Sequence, residues 1–410
     1  MRQNASCRQF WCQLPTLFGP IVYAVRQIVF IFVMISLSIS AWIQSTYGAE
    51  LFVPDDYPTI SDALEVAESG DTVIVKPGTY YERIKMKEGV SLISFSGDGG
   101  DELVEGPGHK PVLRRTLRTI IDGSDIEEPG YLISFPTETT EPMTVDGFTF
   151  QNMPKYASSI NLFIMEIRAC SPVVVNNIFR GNKSWGGILS TGLGIGMGPP
   201  LETEAKPVIS NNVIYDNYGP GIANGSNSAA IIEGNEIFEN RFPRAEEKQH
   251  FAPGIGVREK ARPTIQNNLC YHNGVGIGIL SLDSNRQPLT IQNNQLYEND
   301  MAGINIRGVG TPGAKNKVCI EYNRIYRNLE SGVRTVKTSH VTLRFNDIFG
   351  NRKAGISLWD VGNADIEDNE IHGNITSGIR LLDVSSAKVQ RNHIYDNVTV
   401  GIDLISWKKD

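Results

Sequence analysis

The 410-residue chain carries 38 Lys+Arg against 45 Asp+Glu, with 40% hydrophobic and 20% charged residues, which excludes a disordered or collagen-like polymer. A net charge of −7 gives nucleic acid no electrostatic reason to be the partner. Forty Gly point to many tight turns, and the length suits one repetitive domain as well as two or three ordinary ones.

Residues 1–27 hold Arg2, Arg8 and Arg26 and no acidic residue, and Ile28 to Ile43 is an apolar run of 16 residues. Gly48 and Ala49 follow, just before Glu50. This order reads as a secretory signal peptide over residues 1–49, with an uncleaved anchor as the alternative. Its removal takes three cations and leaves 35 Lys+Arg against 45 Asp+Glu, a net charge of −10. No second long apolar run follows, so the remainder is expected to be a secreted or periplasmic protein without membrane contact. Cys7 and Cys12 fall in the signal segment. Cys170, Cys270 and Cys319 remain, without CxxC spacing, and are expected to be unpaired, buried thiols.

Residues 50–118 read as an N-terminal cap and the first irregular coils. Thr59-Ile-Ser-Asp62 has the form of a capping box, and Ile60, Ala63, Leu64 and Ala67 share one helical face. A short helix here is expected to cover the first coil and protect its open edge. Gly70–Tyr80 and Gly89–Ser94 read as rungs, and residues 95–118 as an excursion. Residues 119–410 are the repeats, beginning with irregular rungs at Thr119–Gly123 and Val145–Phe150.

One pattern recurs nine times: Asn-x-Ile-aromatic, with Cys270 and Leu296 in place of Ile in two copies, a second Asn, then Gly-Ile. Its first Asn falls at Asn176, Asn212, Asn235, Asn268, Asn294, Asn323, Asn346, Asn369 and Asn392. The last three spacings are 23 residues, so the longer ones are that unit plus insertions. The second Asn follows five residues on from Asn217 to Asn397, and Gly four residues later at Gly303, Gly332, Gly355, Gly378 and Gly401. Such periodicity means a solenoid. A leucine-rich repeat is the alternative, but no unit has a helix-length segment. Three short strands per 23 residues make a coil of parallel β-helix, with coils about 4.8 Å apart. Equivalent residues then stack, and Asn amides bond up and down their columns. Ile214, Ile237, Ile325, Ile348, Ile371 and Ile394 fill the bore, as do Ile304, Val333, Ile356, Ile379 and Ile402. Gly is expected to permit the bend before the latter set. An aromatic column running Phe179, Tyr215, Phe238, Tyr271, Tyr297, Tyr326, Phe349, His372 and Tyr395 reads as a supporting stack. Asn182, Asn374 and Asn397 begin glycosylation sequons but read as ladder residues. The Gly192–Gly198 run fits no dinucleotide pattern and reads as a flexible loop.

Asp71-Thr-Val-Ile-Val-Lys-Pro-Gly-Thr-Tyr80, together with the Asn and Gly-Ile repeats, resembles the right-handed parallel β-helix proteins of the pectin-lyase-like superfamily over residues 50–410. The resemblance implies an all-β, single-stranded parallel β-helix with a short N-terminal capping helix and a carbohydrate-associated, extracytoplasmic role. The Asp-Pro-His-Asp of alginate epimerases and the Gly-His-Gly of polygalacturonases are missing. The superfamily also contains phage tailspikes and copper-maturation (NosD-type) proteins, so a non-enzymatic accessory or structural role is the alternative to a protein that binds or modifies polysaccharide.

The residue after each repeat Gly points in, so the second and fourth after it point out. That outer face carries Asn305, Arg307, Arg334, Val336, Ser357, Trp359, Arg380, Leu382, Asp403 and Ile405, with Arg258 in the same column. The fifth position gives Lys337, Asp360 and Asp383, with Asp283 equivalent if Gly278 is the bend. Insertions at 189–206, 241–253 and 308–316 flank this face, and a sheet walled by loops forms a groove. Arg258, Arg307, Trp359, Arg380 and Asp403 are the candidate substrate-binding residues, since guanidinium forks suit carboxylated or sulfated sugars. Asp360 and Asp383, with Arg334 and Lys337, are the candidate catalytic set of a lyase or glycoside hydrolase. The two Asp stack one coil apart, about 5 Å, which suits a retaining carboxylate pair or a shared calcium ion. The six His share no column of three, so no tight copper site is expected. A homo-oligomer or protein partner at the C-terminal end is the remaining expectation.

Overall fold

A computed structural model of the protein describes residues 48–154, 163–183, 186–191, 204–242, 252–282, 288–309 and 317–405. The expected signal segment up to residue 47, the Gly192–Gly198 run and Asp283 lie outside these. Glu50 to Asp410 forms one unit. Its strands wind as a parallel β-helix with three faces, numbered here in chain order from the repeat Gly. Face 1 holds Ile222–Gly225, Pro253–Glu259, Ile304–Val309 and Ser377–Leu382; face 2 holds Ile231–Glu233, Thr264–Gln266 and Lys317–Glu321; face 3 holds Glu236–Phe238, Leu269–Tyr271 and Arg324–Tyr326. Val333–Arg344 and Ile356–Glu367 pass from face 1 to face 2 unbroken, so those faces form one 23-stranded sheet, while face 3 is a separate 12-stranded sheet. No helix intervenes between repeat strands among the described residues, which removes the leucine-rich alternative.

The 23-residue unit sets the register. Arg324 pairs with Asp347, Asp347 with Glu370 and Glu370 with His393, all in parallel. Side chains alternate along each strand, so each face sends every second residue into the bore. Ile214, Ile237, Ile325, Ile348, Ile371, Ile304, Val333, Ile356 and Ile379 are fully buried there. Each contributes about 1.5–3 kcal/mol. Ile402, on the last described coil, is 41% exposed.

Corners need a left-handed residue, and the chain supplies one per corner. Between faces 2 and 3 this residue directly precedes the first Asn column, as at Asn293, Tyr322, Phe345 and Asp368. After face 3 it precedes the second column, as at Asp216, Glu239, His272, Glu298 and Arg327. The Asn that follows closes the turn. The Asn346 side-chain oxygen accepts from the Asn323 backbone N–H and amide, both at 3.0 Å, while its amide donates to the Ile320 carbonyl at 2.8 Å and to Asn369 at 2.9 Å. The second column, from Asn182 through Asn397, repeats this pattern; Asn182 and Asn374 are fully buried. The sequons therefore coincide with ladder residues.

Five expectations are corrected. Asn177, not Asn176, occupies the first ladder; Asn176 is the left-handed residue before it, at φ 57°. Ile178 consequently pairs with Val213, which moves Phe179 out of the aromatic column into the bore, opposite Ile214. Gly276, not Gly278, stands in the repeat Gly column, since Ile277 pairs with Ile304. The reason for Gly also differs. A Cβ on Gly355 would lie 2.6 Å from an Ile371 methyl, 2.8 Å from the Gly378 carbonyl and 2.9 Å from the Asn374 amide. Close approach, not a bend, demands glycine there. Cys170 and Cys270 are buried free thiols as expected, whereas Cys319 is half-buried.

The remaining aromatic column is a true stack. From Tyr215 to Tyr395 successive rings lie 4.7–5.0 Å apart and within 3–7° of parallel. At the N-terminal end the helix Ile60–Val66 starts on Thr59, whose hydroxyl accepts from the Asp62 N–H, and buries Ile60, Ala63 and Leu64. The excursion forms the hairpin Leu103–Val104/Val112–Leu113 and the helix Arg114–Arg118. Val112 packs with Ile178, Val213, Phe238 and Tyr271 on face 3. Two anchors hold the excursion. Arg115, 5% exposed, donates to Asp101, Ser94 and Asp146 at 2.7–2.9 Å. Fully buried Glu236 accepts from the backbone N–H groups of His109 and Lys110 and from the Tyr271 hydroxyl.

Candidate functional site

Face 1 carries the expected residues in the expected columns. Arg258 pairs with Leu280, Leu280 with Arg307, Arg307 with Val336 and Val336 with Trp359, so these point outward in one line. The parallel line runs Ala223, Gly256, Gly278, Asn305, Arg334, Ser357, Arg380 and Asp403. At Gly256 and Gly278 no side chain projects, and the Pro253 ring lies beside both, 3.1–3.2 Å from where a Cβ would stand. The result is a low, half-exposed shelf over two coils, with the Pro253 ring lying along it. Arg258 and Arg307 flank it on one column two coils apart, roughly 10 Å. Both are exposed and have no ion-pair partner among the described residues. Arg334 donates to Asn305 at 3.4 Å, and Arg380 pairs with Asp403 at 3.5 Å. Arg380 is therefore partly neutralised, whereas the shelf Arg residues are not. Trp359, 48% exposed, stands two coils beyond Arg307.

Lys337, Asp360 and Asp383 form the third corner, at φ 53°, 53° and 50°. Asp is among the residues that tolerate this conformation, so the corner itself favours Asp there. All three are exposed and line the edge of face 1 beside Arg334 and Trp359. Among the described residues no three His, Cys, Asp or Glu side chains gather around a metal-sized space.

Two groups escaped the sequence reading. Glu166 and Arg168 extend face 1 toward the N-terminus, where Met165–Arg168 pairs with Ile188–Thr191. Burial, then the charge and hydrogen bond of Glu166, push the nearby Tyr131 hydroxyl up to about 12. Their coil lacks the Gly mark, with Ile164 at that position, so the Gly-Ile frame passed over it. A cavity of about 440 Å³ opens where the second corner feeds face 1, lined by Asp216, Tyr218, Glu239, Arg241, Phe242 and His272. Burial, then the Glu239 charge, raise the Asp216 carboxyl above its usual range. In sequence these residues are separated by insertions and look like ordinary turn positions.

The family model for the right handed beta helix region matches residues 121–316 and 278–410. The chain belongs to the right-handed beta-helix family. Solved structures share this β-helix at low identity. The mannuronan C-5 epimerase AlgE6 A-module of Azotobacter vinelandii is 16% identical, with TM-score 0.58 over 85% of this chain and 94% of that one. A variant of the periplasmic alginate epimerase AlgG is 13% identical, with TM-score 0.52 over 88% and 84%. The Dettilon tailspike protein is 15% identical, with TM-score 0.57 over 86% and 68%. At these identities the likeness is one of fold. No curated protein matches the sequence. Among the described residues no helix of this β-helix protein is long and apolar enough to cross a membrane.

Proposed function

We propose that this β-helix protein binds an acidic polysaccharide along face 1. The carrying observation is the low Gly256–Gly278 shelf, edged by the Pro253 ring and flanked by Arg258 and Arg307, which have no ion-pair partner among the described residues. A sugar ring fits over the low strip and the Pro253 ring, and the guanidinium groups of Arg258 and Arg307 on the neighbouring column meet a carboxylate or sulfate through paired hydrogen bonds. Asn305 and Arg334 supply further donors on the next coils, and Trp359 offers a ring face. Arg380 and Asp403 form the far end of the strip. Support comes from neighbours named for mannuronan and alginate, both polysaccharides.

Modification of the bound chain is assigned to Asp360, Asp383, Arg334 and Lys337, which share that edge of the face. Export is supported by the apolar run Ile28 to Ile43 behind three Arg. The test is a panel of uronate, sulfated and neutral glycans scored for binding and for release of unsaturated or reducing products. Arg258→Ala/Arg307→Ala loses about tenfold to a hundredfold in affinity for the acidic ligand per guanidinium, from about 1.5–3 kcal/mol per charge-assisted contact. Unchanged acidic-glycan affinity in that variant overturns the reading. Product release abolished in Asp360→Asn with binding intact marks an enzyme; binding without product marks a binding module. Calcium-dependent binding that disappears in Asp360→Asn/Asp383→Asn places an ion between those carboxylates.

A further inference from the structure

The corner between faces 2 and 3 lies across the coil from face 1. Its left-handed residues from Asn176 onward are Asn211, Gly234, Asn267 and Asn293, then Tyr322 and Phe345, then Asp368 and Arg391. Asn, Asp and Gly tolerate that backbone, whereas bulky residues there are outliers. Tyr322 and Phe345 adopt it at φ 57° and 55°. Their rings stack at 4.9 Å and 14° and remain 54% and 46% exposed. Two adjacent coils thus place large rings in water at positions where Asn folds more easily. The rings pack only on each other and not into the bore, and local sequence rules broken without a gain in core packing concentrate at functional sites.

The surroundings are polar. Glu321 and Arg344 precede the two rings in the chain, and Arg344 reaches Glu367 at 3.3 Å. Asp368, next in the column, holds Arg391 through two contacts of 2.7 Å. Glu321 and the Tyr322 hydroxyl have no side-chain partner among the described residues. We propose that this corner is a second carbohydrate site, a platform for a single pyranose ring of a neutral glycan. A pyranose presents an apolar C–H face to stacked aromatic rings and a rim of hydroxyls to Glu321, Arg344 and Asp368. A protein partner fits poorly, because two rings between ion pairs fall far short of the roughly 800 Å² each side of a stable interface buries. The ligand class rests on the carbohydrate reading of face 1; the position of the site does not.

The test uses the full chain, with cellohexaose and a six-residue oligomannuronate as probes in titration calorimetry. Tyr322→Asn/Phe345→Asn installs the residue that this column uses elsewhere, so the variant melts no lower than the wild type. It is expected to bind cellohexaose about tenfold more weakly, the loss that one stacking contact supplies, while oligomannuronate affinity holds. Arg258→Ala/Arg307→Ala is expected to do the reverse. Cellohexaose affinity unchanged in the corner variant, or no cellohexaose binding by the wild type, overturns the corner site. Oligomannuronate affinity unchanged in the Arg variant overturns the face 1 reading alone.

Discussion

Replacing Asn346 by Ala tests whether the ladders, and not the bore alone, hold the coils together. Asn346 is 1% exposed and sits mid-column. The substitution removes its two acceptor contacts from Asn323 and its two donor contacts to Ile320 and Asn369. The Asn323 amide keeps the Ile291 and Glu321 carbonyls, but the Asn323 backbone N–H is left without its partner. One buried, unpaired donor costs about 1–3 kcal/mol, and the other lost contacts add about 1 kcal/mol or less each. The expected loss is about 3–4 kcal/mol, read as a shift in the urea midpoint at unchanged slope. Asn392→Ala is the control. It ends the described column and is half-buried, so water replaces much of what it bonds, and about 1 kcal/mol is expected. Equal losses at the two positions, or a loss below about 1 kcal/mol at Asn346, would refute the idea that ladder bonds count through burial.

Other outcomes follow from separate parts of the molecule. Arg115→Ala leaves Asp146 facing a buried gap, so a loss of about 3–5 kcal/mol is expected, together with faster proteolysis between residues 95 and 118; protection equal to wild type counts against the anchor. Burial raises the Cys170 thiol from 9.0 to about 11. Because the folded state holds that proton more tightly, its contribution is complete below pH 9 and lost as pH rises toward 11, a fall of about 2–3 kcal/mol. Cys170→Ala should flatten the stability curve over that window, and an identical alkaline slope in the variant would sink the assignment. Trp359→Ala should weaken binding of the acidic glycan about threefold to tenfold, as one ring contact of about 0.5–1.5 kcal/mol implies, with no change in melting; binding that does not move removes Trp359 from the site.

Most of the architecture could be read from spacing, because a coil that returns over itself writes its period into the chain. The same logic explains the slips. Asn176 fits Asn-x-Ile-aromatic, whereas Asn177 keeps the five-residue spacing to Asn182, and the backbone decides for that spacing, with Asn176 as the left-handed corner residue before the ladder. Gly276 and Gly278 stand two apart, and the pairing of Ile277 with Ile304 decides between them. The outward face was legible once the in–out alternation was fixed, so Arg258, Arg307 and Trp359 fall in line. What stayed hidden depends on proximity across the coil. Nothing near Glu236 in the sequence announces that His109 and Lys110 will bond to it, because the excursion crosses several coils to do so. Tyr322 and Phe345 were equally silent, since their position in the corner, not their neighbours in the chain, makes them unusual.

The three final 23-residue spacings make one rung an interchangeable part. Excising residues 346–368 would join Phe345 directly to Asn369, with every corner, ladder and strand still facing its counterpart. Duplicating the same segment would lengthen the rod by one step and give face 1 one more row. Length in such a protein is a setting rather than a constraint, and the number of rungs acts as a ruler for how long a ligand can be gripped.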